Sequence, residues 1–402
     1  MNRGGLPSVA IVYDCLYPYT TGGGERVYTE IAARLAARGH RVDYLTRTQW
    51  DGDTPDAPFG VVPIWKGEIS NESGDRLPAS AAAFARAVHR ALRQRRGEYD
   101  IVIVSALPPL NVFAARAALR RTGTWLVGDW LEIWTFRKWR QYSGPVVGTV
   151  ASLLQRSGLR RSDEVTVNSE FTLERARYRL RSGGGLVLGL VDLVKDPGVS
   201  DPTTVRRTVL FAGRHIPDKQ LDVLPAAVAV AREAYPDVRL VVTGSGSETQ
   251  RLQEAASIAG VDVEVRGRVS DDELERLMDD AAVLVNPSRR EGFGLVIAEA
   301  ASHGTPSVVV AGEDNAAAEL VEDGVNGFVA GSTDPDILGR AIIAALEGGP
   351  AMRESSRTWY ERSRSSRSLD ASIDELLARY DAFTARRKAS SVPSAVRRAE
   401  KA

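Results

Sequence analysis

The stretch Ser288–Pro306, SRREGFGLVIAEAASHGTP, places two glutamates, Glu291 and Glu299, eight positions apart around a glycine-flanked aromatic. The run before it, AAVLVNPS, ends in Asn-Pro, which stops a strand, while GLVIAEAASHG has the apolar spacing and closing glycine of a short buried helix. Strand, loop and helix follow one another, with Glu291 in the loop and Glu299 more than a turn into the helix, roughly 7 Å along its axis. The free N–H groups of Gly292, Phe293, Gly294 and Leu295 at the helix start favour an anion. A carboxylate in such a pocket can accept two hydrogen bonds at once. Taken alone, the pair reads more simply as a helix cap and a solvated side chain, so the other strand ends must decide.

They carry glycine or charge. FAGRHIPDKQ brings Arg214 and Lys219 just beyond a strand, five residues apart, with Pro217 bending the loop so that both heads can meet one anion. VVTGSGSE sets Gly244 and Gly246 at a strand-to-helix junction where backbone can approach a ligand, without the third glycine of a dinucleotide fingerprint. VRGRVSDDEL puts Gly267, Arg268 and Val269 beyond the next strand, and Ser270 suits the N-cap of the helix after it. Near the N-terminus, YPYTTGGGERV follows the first strand with Gly22, Gly23 and Gly24. Three consecutive glycines cost chain entropy that a mere turn does not require, so close approach to a ligand is expected.

Other chemistry-bearing residues are weaker. WDGDTPD holds a D-x-D at Asp51 and Asp53, the pattern of a metal-dependent transferase, but no apolar strand adjoins it and it reads as a solvated loop. TWLVGDWLEIWTFRKWRQYSG contains Asp129, Glu132 and the tryptophans Trp125, Trp130, Trp134 and Trp139. Their spacing suits either a buried helical stripe or an aromatic platform for a sugar or lipid acceptor. Cys15 is the sole cysteine, which excludes intramolecular disulfides and a thiolate metal cage within one chain.

The positioning elements alternate. SVAIVYDCL, RVDYLTR, DIVIVSA, GTWLVGD, DEVTVNS and GLVLGLV are strand-like, with helical runs between them. The pattern restarts at TVLFAGR and continues through VRLVVTGSG, VDVEVRGR, AAVLVNPS and PSVVVAG. The class is therefore α/β, with two doubly wound Rossmann-like domains whose ligands bind beyond the strand ends, in a cleft between them. The expected boundaries are 1–195 for the N-terminal domain, 196–207 for a linker with two Asp-Pro pairs, and 208–352 for the C-terminal domain. A helix over 353–385 is expected to cross back to the N-terminal domain, and 386–402 to be a basic disordered tail.

Lys plus Arg and Asp plus Glu balance at 52 each, but residues 1–200 hold 27 basic and 20 acidic residues, leaving 25 and 32 for the rest. The N-terminal face is thus suited either to anions, such as phospholipid headgroups in a peripheral contact or a phosphorylated acceptor, or simply to solvent as an Arg-rich surface, and no nucleic-acid partner is expected. No apolar run approaches a membrane span and MNRGGLPSVA lacks a signal-peptide core, so a cytoplasmic, at most membrane-peripheral, location is expected.

TGGGERV, FAGR with Lys219, TGSG and above all EGFGLVIAEAASHGTP resemble the retaining GT-B glycosyltransferases of family four (glycosyl transferases group 1, E-x7-E type), from Gly22 to about Phe328. The resemblance implies two Rossmann-like domains facing a central cleft, with the donor held mainly by the second. It implies that Arg214 and Lys219 bind the diphosphate, Glu299 the ribose, Glu291 the donor sugar, and the loop at Arg268 and Val269 the base. Gly22, Gly23 and Gly24 would close over phosphate and acceptor. Arg214, Lys219 and Glu291 would then be catalytic, while Gly244, Gly246, Gly292, Phe293, Gly294 and Leu295 complete the donor site. Asp129, Trp130 and Glu132 would face the acceptor.

The implied activity moves a hexosyl unit from a UDP- or GDP-linked sugar to a glycan, lipid-linked or small-molecule acceptor, without metal or cofactor. The alternative is a catalytically silent nucleotide-sugar-binding partner of another glycosyltransferase. Two departures stand out. Where many relatives carry a histidine beside the acceptor, this chain has none, its four being His40, His89, His215 and His303. Gln220 follows Lys219 where relatives usually have glycine.

Overall fold

Runs such as VAIV and IVIVS are buried at every position, and all but Ser105 are apolar, because both faces of their sheet are covered, the mark of a parallel sheet between helical layers. The computed structural model describes residues 5–20, 22–70, 76–177, 179–180, 184–194 and 205–391. It divides into two units, one of Met1–Gly189 with Leu369–Ala402, the other of Leu190–Ser368.

In the first unit the order is β1 (Val9–Val12), α1 (Gly23–Ala37), β2 (Val42–Arg47), β3 (Gly60–Trp65), α2 (Pro78–Gln94), β4 (Ile101–Ser105) and α3 (Leu110–Ala118). Then come β5 (Trp125–Trp130), α4 (Phe136–Ser143), α5 (Pro145–Gly158), β6 (Glu164–Val167), α6 (Glu170–Arg177) and β7 (Leu186–Val187). The strands form a parallel sheet in the order β3-β2-β1-β4-β5-β6-β7. Period-two alternation sends Ala10, Val12, Val102, Val104 and Trp130 into one core with Phe84 and Val88 of α2. Pro63 conceals β3 in the sequence. As the sheet's edge strand, β3 tolerates the missing donor.

The second unit contains β8 (Arg206–Ala212), α7 (Leu224–Ala234), β9 (Arg239–Thr243), α8 (Thr249–Ala259), β10 (Val263–Gly267), α9 (Asp271–Asp280) and β11 (Ala281–Asn286). It continues with β12 (Arg290–Glu291), α10 (Leu295–Ser302), β13 (Ser307–Val310), β14 (Asp314–Asn315), β15 (Gly327–Ala330) and α11 (Pro335–Ser366). Its main sheet is parallel, ordered β10-β9-β8-β11-β13-β15, and β12 pairs separately with β14. Val209 and Phe211 pack with α7 and α11 on one face, while Leu210 and Leu284 pack with Ile297 and Ala301 of α10 on the other. Each such buried side chain contributes about 1.5–3 kcal/mol, which fixes the strand register that aims the loops.

The C-terminal region differs from the single expected helix. Helix α11 belongs to the second unit and is kinked at Gly349, whose φ of 49° precedes Pro350. After a break at Arg367, α12 (Leu369–Ser391) belongs to the first unit. There Asp370 pairs with Arg34 and Arg38 of α1, and Tyr380 and Phe383 pack on Trp125. Residues 386–391, assigned to a disordered tail, continue α12. Residues 392–402 lie outside the described residues, as do 196–204 of the expected linker, and Arg206 and Arg207 already begin β8.

Candidate active site

In the second unit the strand ends of β8 and β11 bring Lys219 and Glu291 together. Lys219 Nζ donates to Glu291 Oε1, which also accepts from Asn286 Nδ2 and Ser288 Oγ at 3.0 Å each. Burial raises the Glu291 carboxyl, but the Lys219 charge and the three hydrogen bonds outweigh it and hold the group below its ordinary range. The residue is fixed by backbone too, since β12 pairs with β14 rather than leaving Glu291 in a loop. Asn315 of β14 donates to the carbonyls of Ser288 and Val310 and accepts from Ala317 N. Asp218, one residue before Lys219, is gripped by Arg289 at 2.7 Å and Arg290 at 3.1 Å. A buried polar lattice therefore sets the position of the ion pair.

Helix α10 starts beside it. Gly294 caps that helix at φ 92°, and a Cβ there would lie 2.7 Å from Ala317 Cβ, so this glycine is required by its own chain. Glu299 lies in α10, half-buried, four residues beyond Leu295. Arg214 is exposed and has no ion-pair partner among the described residues. Arg268 is exposed, Val269 is half-buried, and Ser270 Oγ accepts from Glu273 N at 3.2 Å as the expected cap of α9.

At Gly244 and Gly246 the chain's own backbone approaches closely. A Cβ on Gly244 would lie 1.9 Å from Gly213 O, and one on Gly246 2.2 Å from His215 O. The close neighbour is the loop after β8. His215, buried and passed over by the sequence reading, ties these loops. Its Nε2 faces Thr243 O at 3.3 Å and its Nδ1 faces Thr249 Oγ1 at 2.7 Å. A carbonyl only accepts, so Nε2 carries the hydrogen and Nδ1 accepts. Burial holds this imidazole below its ordinary value.

The first unit corrects several expectations. Gly23 and Gly24 are the first residues of α1 rather than a loop before it, and none of Gly22, Gly23 and Gly24 has a positive φ. A Cβ on Gly24 would meet Tyr13 Oη at 2.9 Å. Trp125 and Trp130 are strand residues on opposite faces of β5, fully buried, so neither the helical stripe nor the acceptor platform describes them; Trp130 packs against Gly158. The Trp134 and Trp139 rings meet at a 45° tilt with centroids 4.6 Å apart and share Gln155, whose Oε1 accepts from Trp139 Nε1 and Trp134 N. Asp129 is buried with both oxygens engaged, accepting from Tyr28 Oη and Thr166 Oγ1 at 2.5 Å each. Burial outweighs those bonds and pushes its carboxyl up to about 6. Glu132 accepts from Trp134 Nε1 at 2.5 Å. Asp14, which the sequence reading did not single out, is buried against Arg76. Asp51 and Asp53 are exposed between β2 and β3. Among the described residues no helix is long and apolar enough to cross a membrane.

Two parallel α/β sheets define the class, and comparison with known proteins gives the family. A model described as "Glycosyl transferases group 1" matches residues 206–348 and one described as "Glycosyl transferase 4-like domain" matches residues 22–183. A phosphatidyl-myo-inositol mannosyltransferase of Mycolicibacterium smegmatis is 35% identical over 359 residues, covering 83% of each chain. A D-inositol 3-phosphate glycosyltransferase of a Nocardioides species is 30% identical over 361 residues, covering 81% of this chain and 78% of its own. The solved structure of sucrose-phosphate synthase from Thermosynechococcus elongatus superposes with a TM-score of 0.77 at 19% identity, covering 94% of this chain and all of that one. The chain belongs to the family-four glycosyltransferases of the GT-B fold.

Proposed function

We propose that this chain is a retaining, metal-independent hexosyltransferase that takes its donor from a UDP- or GDP-sugar. The observation that carries the reading is the Lys219–Glu291 pair beside the start of α10, with the unpaired Arg214 on the same strand-end loop as Lys219. On arrival of a nucleotide sugar, Lys219 and Arg214 turn to the diphosphate and Glu291 accepts hexose hydroxyls, the cation exchanging one anion for another. Charge grows on the leaving diphosphate as the glycosidic bond breaks. A cation about 4 Å away contributes about 4 kcal/mol at an effective dielectric near 20, the service a metal would otherwise provide. Glu299 holds the ribose, Gly292 to Leu295 offer N–H groups, and Arg268 and Val269 border the base.

For the acceptor, Asp129 has both oxygens engaged inside the protein, which favours the donor's own phosphate oxygen as the proton acceptor in a front-face reaction. The two named relatives carry inositol in their names, which supports a small-molecule or lipid-linked acceptor, and with it a cytoplasmic, membrane-peripheral site of action. The test is incubation with UDP- and GDP-sugars, scoring released nucleotide with and without inositol-type acceptors and the product anomer by NMR. Acceptor-dependent release with retained anomer is expected. Tight donor binding with no turnover for any pairing would instead mark a silent partner of another transferase.

A further inference from the structure

Helix α5 turns its polar side to the protein and its apolar side to solvent. Gly148, Ser152, Gln155 and Gly158 are buried, whereas Val146, Val150 and Leu153, one face at i, i+4 and i+7, are 74%, 52% and 58% exposed. A surface helix of a globular domain ordinarily does the reverse. The inversion is built in by close packing. A Cβ on Gly148 would fall 2.2 Å from Trp139 O and one on Gly158 3.0 Å from the Trp130 ring, while Gln155 is spent on Trp134 and Trp139. Phe136 and Tyr142 of α4 are exposed as well. Among the described residues, six of the ten exposed large hydrophobic side chains lie between Phe136 and Leu153.

The same segment is cationic. Residues 133–162 contain six Lys or Arg and no Asp or Glu. Arg137, Arg140, Arg156, Arg160 and Arg179 have no ion-pair partner among the described residues. Arg179 is close enough to Arg156 and Arg160 that, with burial, their charges lower its guanidinium from the ordinary value. A second copy of this face would repel it. An anionic bilayer matches both properties, hydrocarbon for the apolar stripe and phosphate for the arginines.

We propose that the α4–α5 face docks on an anionic phospholipid bilayer, burying Phe136, Tyr142, Val146, Val150 and Leu153 at the headgroup boundary while Arg137, Arg140, Arg156 and Arg160 meet lipid phosphates. This deepens the membrane contact proposed above by naming its surface, and its test uses neither donor nor acceptor, so either reading can fail without the other.

The full chain is sedimented with vesicles of phosphatidylglycerol and phosphatidylcholine, and with phosphatidylcholine alone. Binding to the anionic vesicles, weakened by salt, is expected, with little to the neutral ones. Val146→Ser/Val150→Ser/Leu153→Ser lowers partitioning at least about tenfold, and Arg156→Gln/Arg160→Gln lowers it and flattens the salt dependence. Circular dichroism and thermal melting monitor the fold, and Leu153→Gln alone, expected to lose about threefold, covers any misfolding of the triple variant. Wild-type protein left in the supernatant, or serine variants that partition like wild type, overturns the proposal. So does a dimer in sedimentation velocity that the serine variants dissolve while vesicles bind nothing, which would assign the face to a second copy.

Discussion

Lys219 Nζ donates to Oε1 of Glu291, 72 residues further along the chain, so the diphosphate-binding cation and the sugar-binding carboxylate proposed here hold each other until a donor separates them. Removing one partner of a buried pair leaves an uncompensated charge and typically costs about 3–5 kcal/mol. Because Asn286 and Ser288 still hold Glu291, Lys219→Ala is expected near about 3 kcal/mol by urea denaturation. The Glu291 carboxyl is depressed, so its contribution is complete above the ordinary carboxylate value of about 4.3 and is lost as pH falls through the folded-state value. Lys219→Ala should shrink that acid limb. Strictly additive losses in Lys219→Ala/Glu291→Gln would show that the two are uncoupled.

Asp129 titrates in the opposite sense. Its folded-state value is raised to about 6, so the native state binds the proton more tightly than the unfolded chain. Its own contribution to stability is then fully present below about pH 4, the unfolded value, declines as pH rises towards 6 and is lost above it. Asp129→Asn should flatten that decline and, if the donor phosphate takes the acceptor's proton, keep measurable turnover with the same anomer. Loss of all turnover with donor binding and fold intact would make Asp129 the base.

Two loop positions test backbone geometry in opposite directions. Gln220 sits at φ 49° and ψ 44°, a left-handed conformation costing about 1–2 kcal/mol for an ordinary residue. Gln220→Gly relieves that strain at an unfolded-state cost of about 0.4–1 kcal/mol, so a gain of up to about 1.6 kcal/mol is expected in thermal melts. Gly244→Ala, at φ 109° and set against Gly213 O, should lose at least about 2 kcal/mol. A neutral Gly244→Ala would mean that the β8 and β9 loops are not packed as described.

Arg214→Ala should lower kcat/KM far more than it weakens binding of the bare nucleoside, because its proposed partner is a phosphate whose charge grows in the transition state. Glu299→Ala should show the reverse balance, with donor affinity suffering most, since the ribose contacts proposed for it would persist throughout. Titration calorimetry with nucleoside and nucleotide sugar, set beside steady-state kinetics, separates the two patterns.

Turnover is expected to be unchanged in excess EDTA if, as proposed, side-chain cations and a helix terminus take the place of a metal. A strict requirement for Mg²⁺ or Mn²⁺ in the nucleotide-release assay would return attention to Asp51 and Asp53.

Local signals determined a great deal by themselves. Apolar runs at strand length, Asn-Pro after β11, Ser270 before α9 and the E-x7-E spacing around Gly294 act within a few residues of where they stand, so the α/β class, the strand ends and the family were legible from them. What the sequence could not decide was partnership at long range. That Glu291 meets Lys219, that Asn315 and Asp218 pin their loops, and that Gly244 and Gly246 yield to the β8 loop depend on strands brought side by side from distant positions. The tryptophan-rich segment shows the same limit. Its spacing resembled a helical stripe, but β5 pairs with β4 and β6, and ladder hydrogen bonds with two neighbours outweigh a local period. That pairing buries Trp125 and Trp130, engages Asp129 with Tyr28 and Thr166, and leaves the apolar side of α5 facing out.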